Sequence, residues 1–354
     1  MPSEPGGRSP AIQAVATALP PHEIRQADAE ALARRIFDRD ASEIERLMPV
    51  FANAGIDRRY SCMPLDWYGR PHGWRERNDL YERHALTLIE RAATECLDRA
   101  GCRAADIDAI VCVSTTGITT PSLDARLLDR LPFRRDVLRL PIFGLGCAGG
   151  VTGLARAAAL QRAMPGSRVL LLVVELCALT FREADHSKSN IIATALFGDG
   201  AAAALIGPRG DGPRLGGAGE FTWPDSLPVM GWRIEDDGFG VLFSRDIPAL
   251  VRRELRAVTD AFLAGQGTGR EALAGYICHP GGIKVLAALE DAFGVAPGSL
   301  DHSREVLRDV GNLSAATVLF VLHRTLANGA PSGRYLMSAL GPGFTAAFQL
   351  MELP

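Results

Sequence analysis

A chain of 354 residues with 47% hydrophobic and 22% charged residues carries enough apolar material for one large core or two joined halves. A net charge of −3 and a pI near 6.2 argue against a polyanion-binding surface, so nucleic acid is not an expected partner. Seven cysteines, an odd number at 62, 96, 102, 112, 147, 177 and 278 without CxxC spacing, read as reduced thiols rather than zinc ligands or disulfides. The first ten residues lack the apolar segment of a signal peptide, and no run reaches the roughly 18 residues of a membrane span. A cytoplasmic protein is expected.

In chain order, Ile12 to Leu19 reads as a strand, and Gln26 to Phe37 and Asp40 to Phe51 as helices that cover something else. Asp57-Arg58-Arg59-Tyr60 is either a solvated edge or a phosphate contact. Asn78 to Ala100 has the spacing of a long amphipathic helix. Ile107 to Ser114 is a continuous apolar run, the mark of a strand buried on both faces in a layered α/β fold. Strand 138–143, helix 151–163, strand 169–176, helix 190–196 and strand 201–206 repeat that theme. The Gly-, Pro- and Arg-rich stretch from 207 to 219 is the clearest boundary, dividing the chain into 1–215 and 216–354. The second half echoes the first with helix 247–264, strand 273–278, helix 282–293, helix 314–326 and strands 335–340 and 344–350. Gly146-Cys147 and Gly311-Asn312 each precede a helix, and two related halves would bring both helix starts to one centre.

Three residues at glycine-bordered turns carry candidate chemistry. Cys147, in Gly144-Leu145-Gly146-Cys147-Ala148-Gly149-Gly150, falls at a helix N-terminus, where free N–H groups and the helix dipole favour a thiolate. Taken alone it reads equally as a small buried residue at a tight helix contact. His279 ends an apolar strand in Cys278-His279-Pro280-Gly281-Gly282, the end of a strand at which α/β enzymes display chemistry. Asn312 alone would be a helix cap. Together, histidine can pair with a cysteine thiolate, and histidine with asparagine can donate two hydrogen bonds to an oxyanion or enolate.

The cysteine segment, FGDGAAAALI, HPGG and GNLSAATVLFVL resemble, in order and spacing, the type III polyketide synthases, the chalcone- and stilbene-synthase-like family, from about Ile12 to Leu350. The resemblance implies a thiolase-type, five-layered αβαβα fold built from two related halves, acting as a homodimer. It implies that Cys147 takes an acyl group from coenzyme A, that His279 and Asn312 stabilise the enolate left by malonyl decarboxylation, and that Phe197 stands beside the catalytic centre. No metal or redox cofactor is implied. Substrates would arrive as acyl-CoA and malonyl-CoA, with a carrier protein an optional route for the starter.

By the same resemblance the pocket is matched by Thr115, Thr120, Cys177, Leu179, Thr180, Val241 and Ser314. Val241 stands where plant members carry a phenylalanine, and the mostly small or aliphatic set suits an aliphatic chain. Arg46, Arg58, Gly281, Gly282 and Lys284 are the expected coenzyme A contacts, while Asn53 replaces a common lysine. Segments 183–200 and 229–248 look most like bacterial alkylpyrone and alkylresorcinol synthases. The expected reaction condenses a long fatty acyl-CoA with two or three malonyl-CoA units. Alternatives are a single-condensation ketoacyl synthase, a type III synthase with short or aromatic starters, and a non-catalytic acyl-CoA-binding subunit.

Overall fold

A computed structural model describes residues 9–37, 45–208, 210–244 and 246–354. The strands are β1 (Ala11–Ala18), β2 (His22–Arg25), β3 (Arg58–Ser61), β4 (Ala109–Val113), β5 (Leu138–Ile142), β6 (Val169–Leu176), β7 (Asp199–Gly207), β8 (Arg214–Thr222), β9 (Met230–Glu235), β10 (Gly238–Phe243), β11 (Gly275–Cys278), β12 (Gly333–Gly341) and β13 (Thr345–Leu353). The helices used below are α1 (Gln26–Ile36), α2 (Trp74–Arg99), α3 (Gly149–Ala163), α4 (Lys188–Leu196), α5 (Ile283–Phe293), α6 (Asp301–Val310) and α7 (Thr317–Ala327).

Nine strands form one sheet in the order β11-β12-β13-β8-β1-β7-β6-β4-β5. Its two halves are joined through β1 and β8, which meet at Ala11 opposite Arg214. Every residue of β6 is buried because both faces are covered. Alternation divides them: Leu170, Leu172 and Val174 pack toward α2, and Val169, Leu171 and Val173 join the central core. The second half does the same. Met337, Ala339, Ala347 and Met351 face the central core, whereas Leu336, Leu340, Ala346, Phe348 and Leu350 face α5 and the helical run 247–265. The result is α2, a sheet half, the α3–α7 pair, the second sheet half, and an outer helical layer. This is the thiolase-type αβαβα arrangement expected from the sequence.

Three local readings change. Most of the glycine-rich stretch 207–219 is strand: β8 pairs with β13, and its glycines are there for packing, since a Cβ on Gly219 would fall 2.7 Å from the Phe262 ring. The apolar strand β5 is not buried; it is the sheet edge, with Leu138 52% and Leu140 37% exposed. The helix expected from Asp40 to Phe51 lies partly outside the described residues, and its far end is the short helix Pro49–Ala52.

The two halves meet where α3 and α7 begin. A Cβ on Gly149 would lie 3.2 Å from Ala315 Cβ, and one on Gly150 only 2.2 Å from the Ala315 carbonyl oxygen. Gly150→Ala therefore sets two effects against each other. Helix propensity favours alanine by about 1 kcal/mol, but the clash is with backbone, and overpacking of this kind costs roughly 1–3 kcal/mol or more. The urea midpoint of Gly150→Ala is expected below that of the wild type; an increase would contradict the close contact.

Candidate active site

Cys147 sits in a one-turn 3-10 helix, Gly146–Ala148, that leads into α3. Gly144 and Gly146 take φ of +92° and +47°, and a side chain on Gly146 would strike the Pro342 ring at 2.7 Å. The Gly146 N–H donates to Thr115 Oγ1 at 3.1 Å, tying the turn to the end of β4. The Cys147 thiol donates to Ser314 Oγ at 3.7 Å across the joint between the halves.

Burial works against the expected thiolate. Burial pushes the Cys147 thiol up to about 12, and the Ser314 contact offsets this only in part. The dipole of α3 is a local effect; full desolvation of sulfur is the larger one here. His279, at the end of β11, is 4% exposed, and among the described residues neither ring nitrogen has a hydrogen-bond partner. Burial pulls its imidazole down to about 3, so it is neutral. Neutral imidazole keeps one N–H to donate and one nitrogen to accept.

Asn312 is 1% exposed and held from three sides. Its N–H donates to the Leu196 carbonyl at 2.9 Å, its carbonyl accepts from Gly198 N–H at 3.0 Å, and its Oδ1 accepts from Ser314 N–H at 2.9 Å. The last bond turns the amide NH2 end away from Ser314. Ser314 has φ +48°, unusual outside glycine, and its carbonyl is held by Thr317 Oγ1 at 2.9 Å. Cys147, His279 and Asn312 line one pocket of about 470 Å³ with Gly281, Ser338, Met230 and Phe243. Met230 and Phe243 face each other across the β9–β10 hairpin. A nucleophilic sulfur and two nitrogen donors around one space can open a thioester and hold the oxyanion formed.

A second cavity of about 660 Å³ adjoins, sharing a wall through Phe197, which forms a β-bridge with Asn312. Cys177, Thr180 and Val241 line it as expected, with Leu32, Ile36, Leu65, Tyr68 and Phe181 beyond. Thr115 and Ser314 lie at the cysteine turn instead of this cavity, and Leu179 lines a smaller pocket with Thr116 and Thr180. In the single chain Thr120 is exposed on the loop after β4 and lines none of these spaces; that loop passes Gly117, which packs on the Tyr81 ring. Arg46, Arg58 and Lys284 are exposed. The turn before β3 packs against the start of α5, where a Cβ on Gly55 would lie 3.3 Å from that of Ile283, bringing the stretches bearing Arg58 and Lys284 together. Gly281 lines the 470 Å³ pocket, and Gly282 has φ +147°.

Glu175 escaped the sequence reading, and Arg59 was read there as part of a solvated edge or phosphate contact. Glu175 is fully buried, accepts from Thr115 N–H and Thr116 Oγ1 at 2.9 Å each, and is pushed up to about 8 by burial. A lone carboxylate ending the otherwise apolar run of β6 was its signal. Arg59 is 4% exposed and lines the larger cavity.

The pattern described as chalcone and stilbene synthases, N-terminal domain, matches residues 7–210, and its C-terminal counterpart matches 217–351. The chain is 41% identical to a 1,3,6,8-tetrahydroxynaphthalene synthase of Streptomyces peucetius subsp. caesius, over 98% of this chain and 93% of that protein. It is 30% identical to a 3,5-dihydroxyphenylacetyl-CoA synthase of Amycolatopsis balhimycina, covering 88% and 86%. The crystal structure of a 1,3,6,8-tetrahydroxynaphthalene synthase from Streptomyces coelicolor A3(2), a bacterial type III polyketide synthase, superposes with a TM-score of 0.93 at 30% identity, over 97% of this chain and 99% of that one.

Activation of the sulfur is measurable without substrate. His279 and Cys147 line one pocket, so removing the imidazole tests whether it assists the sulfur. If the imidazole assists the sulfur, iodoacetamide inactivation of His279→Ala is expected to need a higher pH than that of the wild type, in the alkaline range to which burial moves the thiol. The wild type is expected to react at lower pH. Coincident profiles would remove His279 from the activation of Cys147.

Proposed function

Because the chain belongs to the chalcone and stilbene synthase family and is thus a type III polyketide synthase of the thiolase superfamily, we propose that it loads a long-chain fatty acyl group from coenzyme A and extends it with two or three malonyl-CoA units to an alkylpyrone or alkylresorcinol. The observation that carries this reading is the 660 Å³ cavity beside Asn312, walled by aliphatic side chains of α1 and by Val241.

The steps follow from the groups in place. His279 takes the proton of Cys147 as sulfur attacks the starter thioester, and coenzyme A leaves as the thiol with that proton. The acyl chain then lies in the apolar cavity. In malonyl-CoA the bond to the carboxylate breaks, CO2 departs, and the electron pair passes into an enolate whose oxygen accepts from His279 and Asn312. The enolate carbon attacks the acyl-cysteine carbonyl, and the Cys147 thiolate leaves for the next round. Closure through an enol oxygen gives a pyrone; carbon–carbon closure gives a resorcinol. Arg46, Arg58 and Lys284 hold the coenzyme A phosphates from the surface, beside the Gly281–Gly282 turn.

The 41% identity to a tetrahydroxynaphthalene synthase favours a second reading, in which the starter is small. Malonyl-CoA supplied with a ladder of short, aromatic and long acyl-CoA thioesters decides between them by product mass. Triketide and tetraketide pyrones or resorcinols from long starters are expected. Products from short or aromatic starters alone would discard the long-chain assignment, and a lone diketide would indicate a single-condensation ketosynthase.

The active form is a homodimer in this proposal, joined along β5, where Leu138, Leu140, Phe143 and nearby Ile118 are 52%, 37%, 54% and 48% exposed at an unpaired sheet edge. Thr120 belongs to the loop beside this surface. Light scattering is expected to give twice the 37.9 kDa chain mass, falling to the single chain in a Leu138→Asp, Phe143→Asp variant. A monomeric wild type would refute the assembly.

A further inference from the structure

Arg59 is a buried cation that the reaction scheme leaves unused. Its two terminal nitrogens donate to main-chain carbonyls at the end of α4: Nη1 to Thr194 at 2.5 Å and Phe197 at 3.0 Å, Nη2 to Ala195 at 2.8 Å and to the Gln26 side chain. Gln26 in turn donates to the Phe51 and Ala195 carbonyls at 3.0 Å each. Among the described residues no carboxylate pairs with Arg59, and burial lowers its guanidinium to about 10, still charged near neutral pH. The negative end of the α4 dipole and the carbonyls it exposes are what balance the charge. The arginine stem fits where only glycines leave room: a Cβ on Gly198 would lie 3.2 Å, and one on Gly311 3.3 Å, from Arg59 Cβ. Those two glycines flank the Phe197–Asn312 bridge.

We propose that Arg59 is a positioning residue for Asn312: by clamping the carbonyls of 194, 195 and 197 it fixes the chain end against which the Asn312 backbone is hydrogen-bonded, and so aims the Asn312 amide at the enolate. The inference rests on the decarboxylative reading above. Cys147 stands on a different element, which Arg59 does not touch, so acylation and decarboxylation respond differently when the clamp is loosened. A displacement of even 1 Å at such a donor is costly to rate.

The test is a double-mutant cycle on purified full-length enzyme, reading malonyl-CoA decarboxylation and, separately, acylation of Cys147 by intact mass. Arg59→Gln is expected to slow decarboxylation about tenfold while leaving acylation by acetyl-CoA, whose two-carbon acyl group does not fill the cavity that Arg59 lines, within about threefold of wild type. In an Asn312→Ala background the same change is expected to cost less than about twofold, because the residue it acts through is gone. Arg59→Lys, which keeps the charge but not the fork, is expected to fall between wild type and Arg59→Gln, and serves as the test if Arg59→Gln does not fold. Equal losses in both backgrounds, or equal losses in both steps, would overturn the proposal. A wild type that decarboxylates no malonyl-CoA would instead overturn the functional reading on which it rests.

Discussion

Two helices begin against each other at the middle of this molecule, and the contact leaves no room for side chains. Gly149 and Gly150 at the head of α3 lie on Ala315 at the head of α7. Gly341 closes the same joint from the other half, where a Cβ would sit 2.6 Å from that of Ala148. Cys147 and Ser314 stand on either side of it and touch. Everything functional is referred to this joint. The nucleophile comes from the N-terminal half and both nitrogen donors from the C-terminal half, so the site exists only when the halves are docked.

Burial is the common cause behind the electrostatics. It raises the thiol, lowers the imidazole and raises Glu175, each toward its neutral form. Burial therefore disfavours charge at each of the three, and charge that develops in the reaction depends on hydrogen-bond donors within the site. Preorganised donors in a dry pocket act without reorganisation. The aliphatic cavity beside Phe197 fits the same scheme, since an alkyl chain lying there completes the exclusion of water.

The catalytic trio was legible in the sequence because each member carries a local signature: a glycine-bordered turn at a strand or helix end, in an order shared with a known family. The layered fold was legible because β4, β6 and β7 are apolar runs too short for helices. What was hidden depends on distant partners. Arg58 and Arg59 look alike in sequence, yet alternate residues of a strand face opposite sides, so one is exposed and its neighbour buried. That the glycines of β8 belong to a strand was not legible, because the Phe262 ring that excludes a side chain is some forty residues away in sequence. Thr120 followed the family pattern, and in the single chain it is exposed on its loop. The burial that opposes a Cys147 thiolate was hidden as well, because a dipole is local and desolvation is a property of the whole fold.

The central claim is a division of labour across the joint: sulfur from one half, enolate-holding donors from the other. Malonyl-CoA alone, given to Cys147→Ala and to Asn312→Ala, tests it most directly, with acetyl-CoA release as the readout. Cys147→Ala is predicted to go on decarboxylating while Asn312→Ala loses most of the activity; loss in Cys147→Ala with retention in Asn312→Ala would contradict the account.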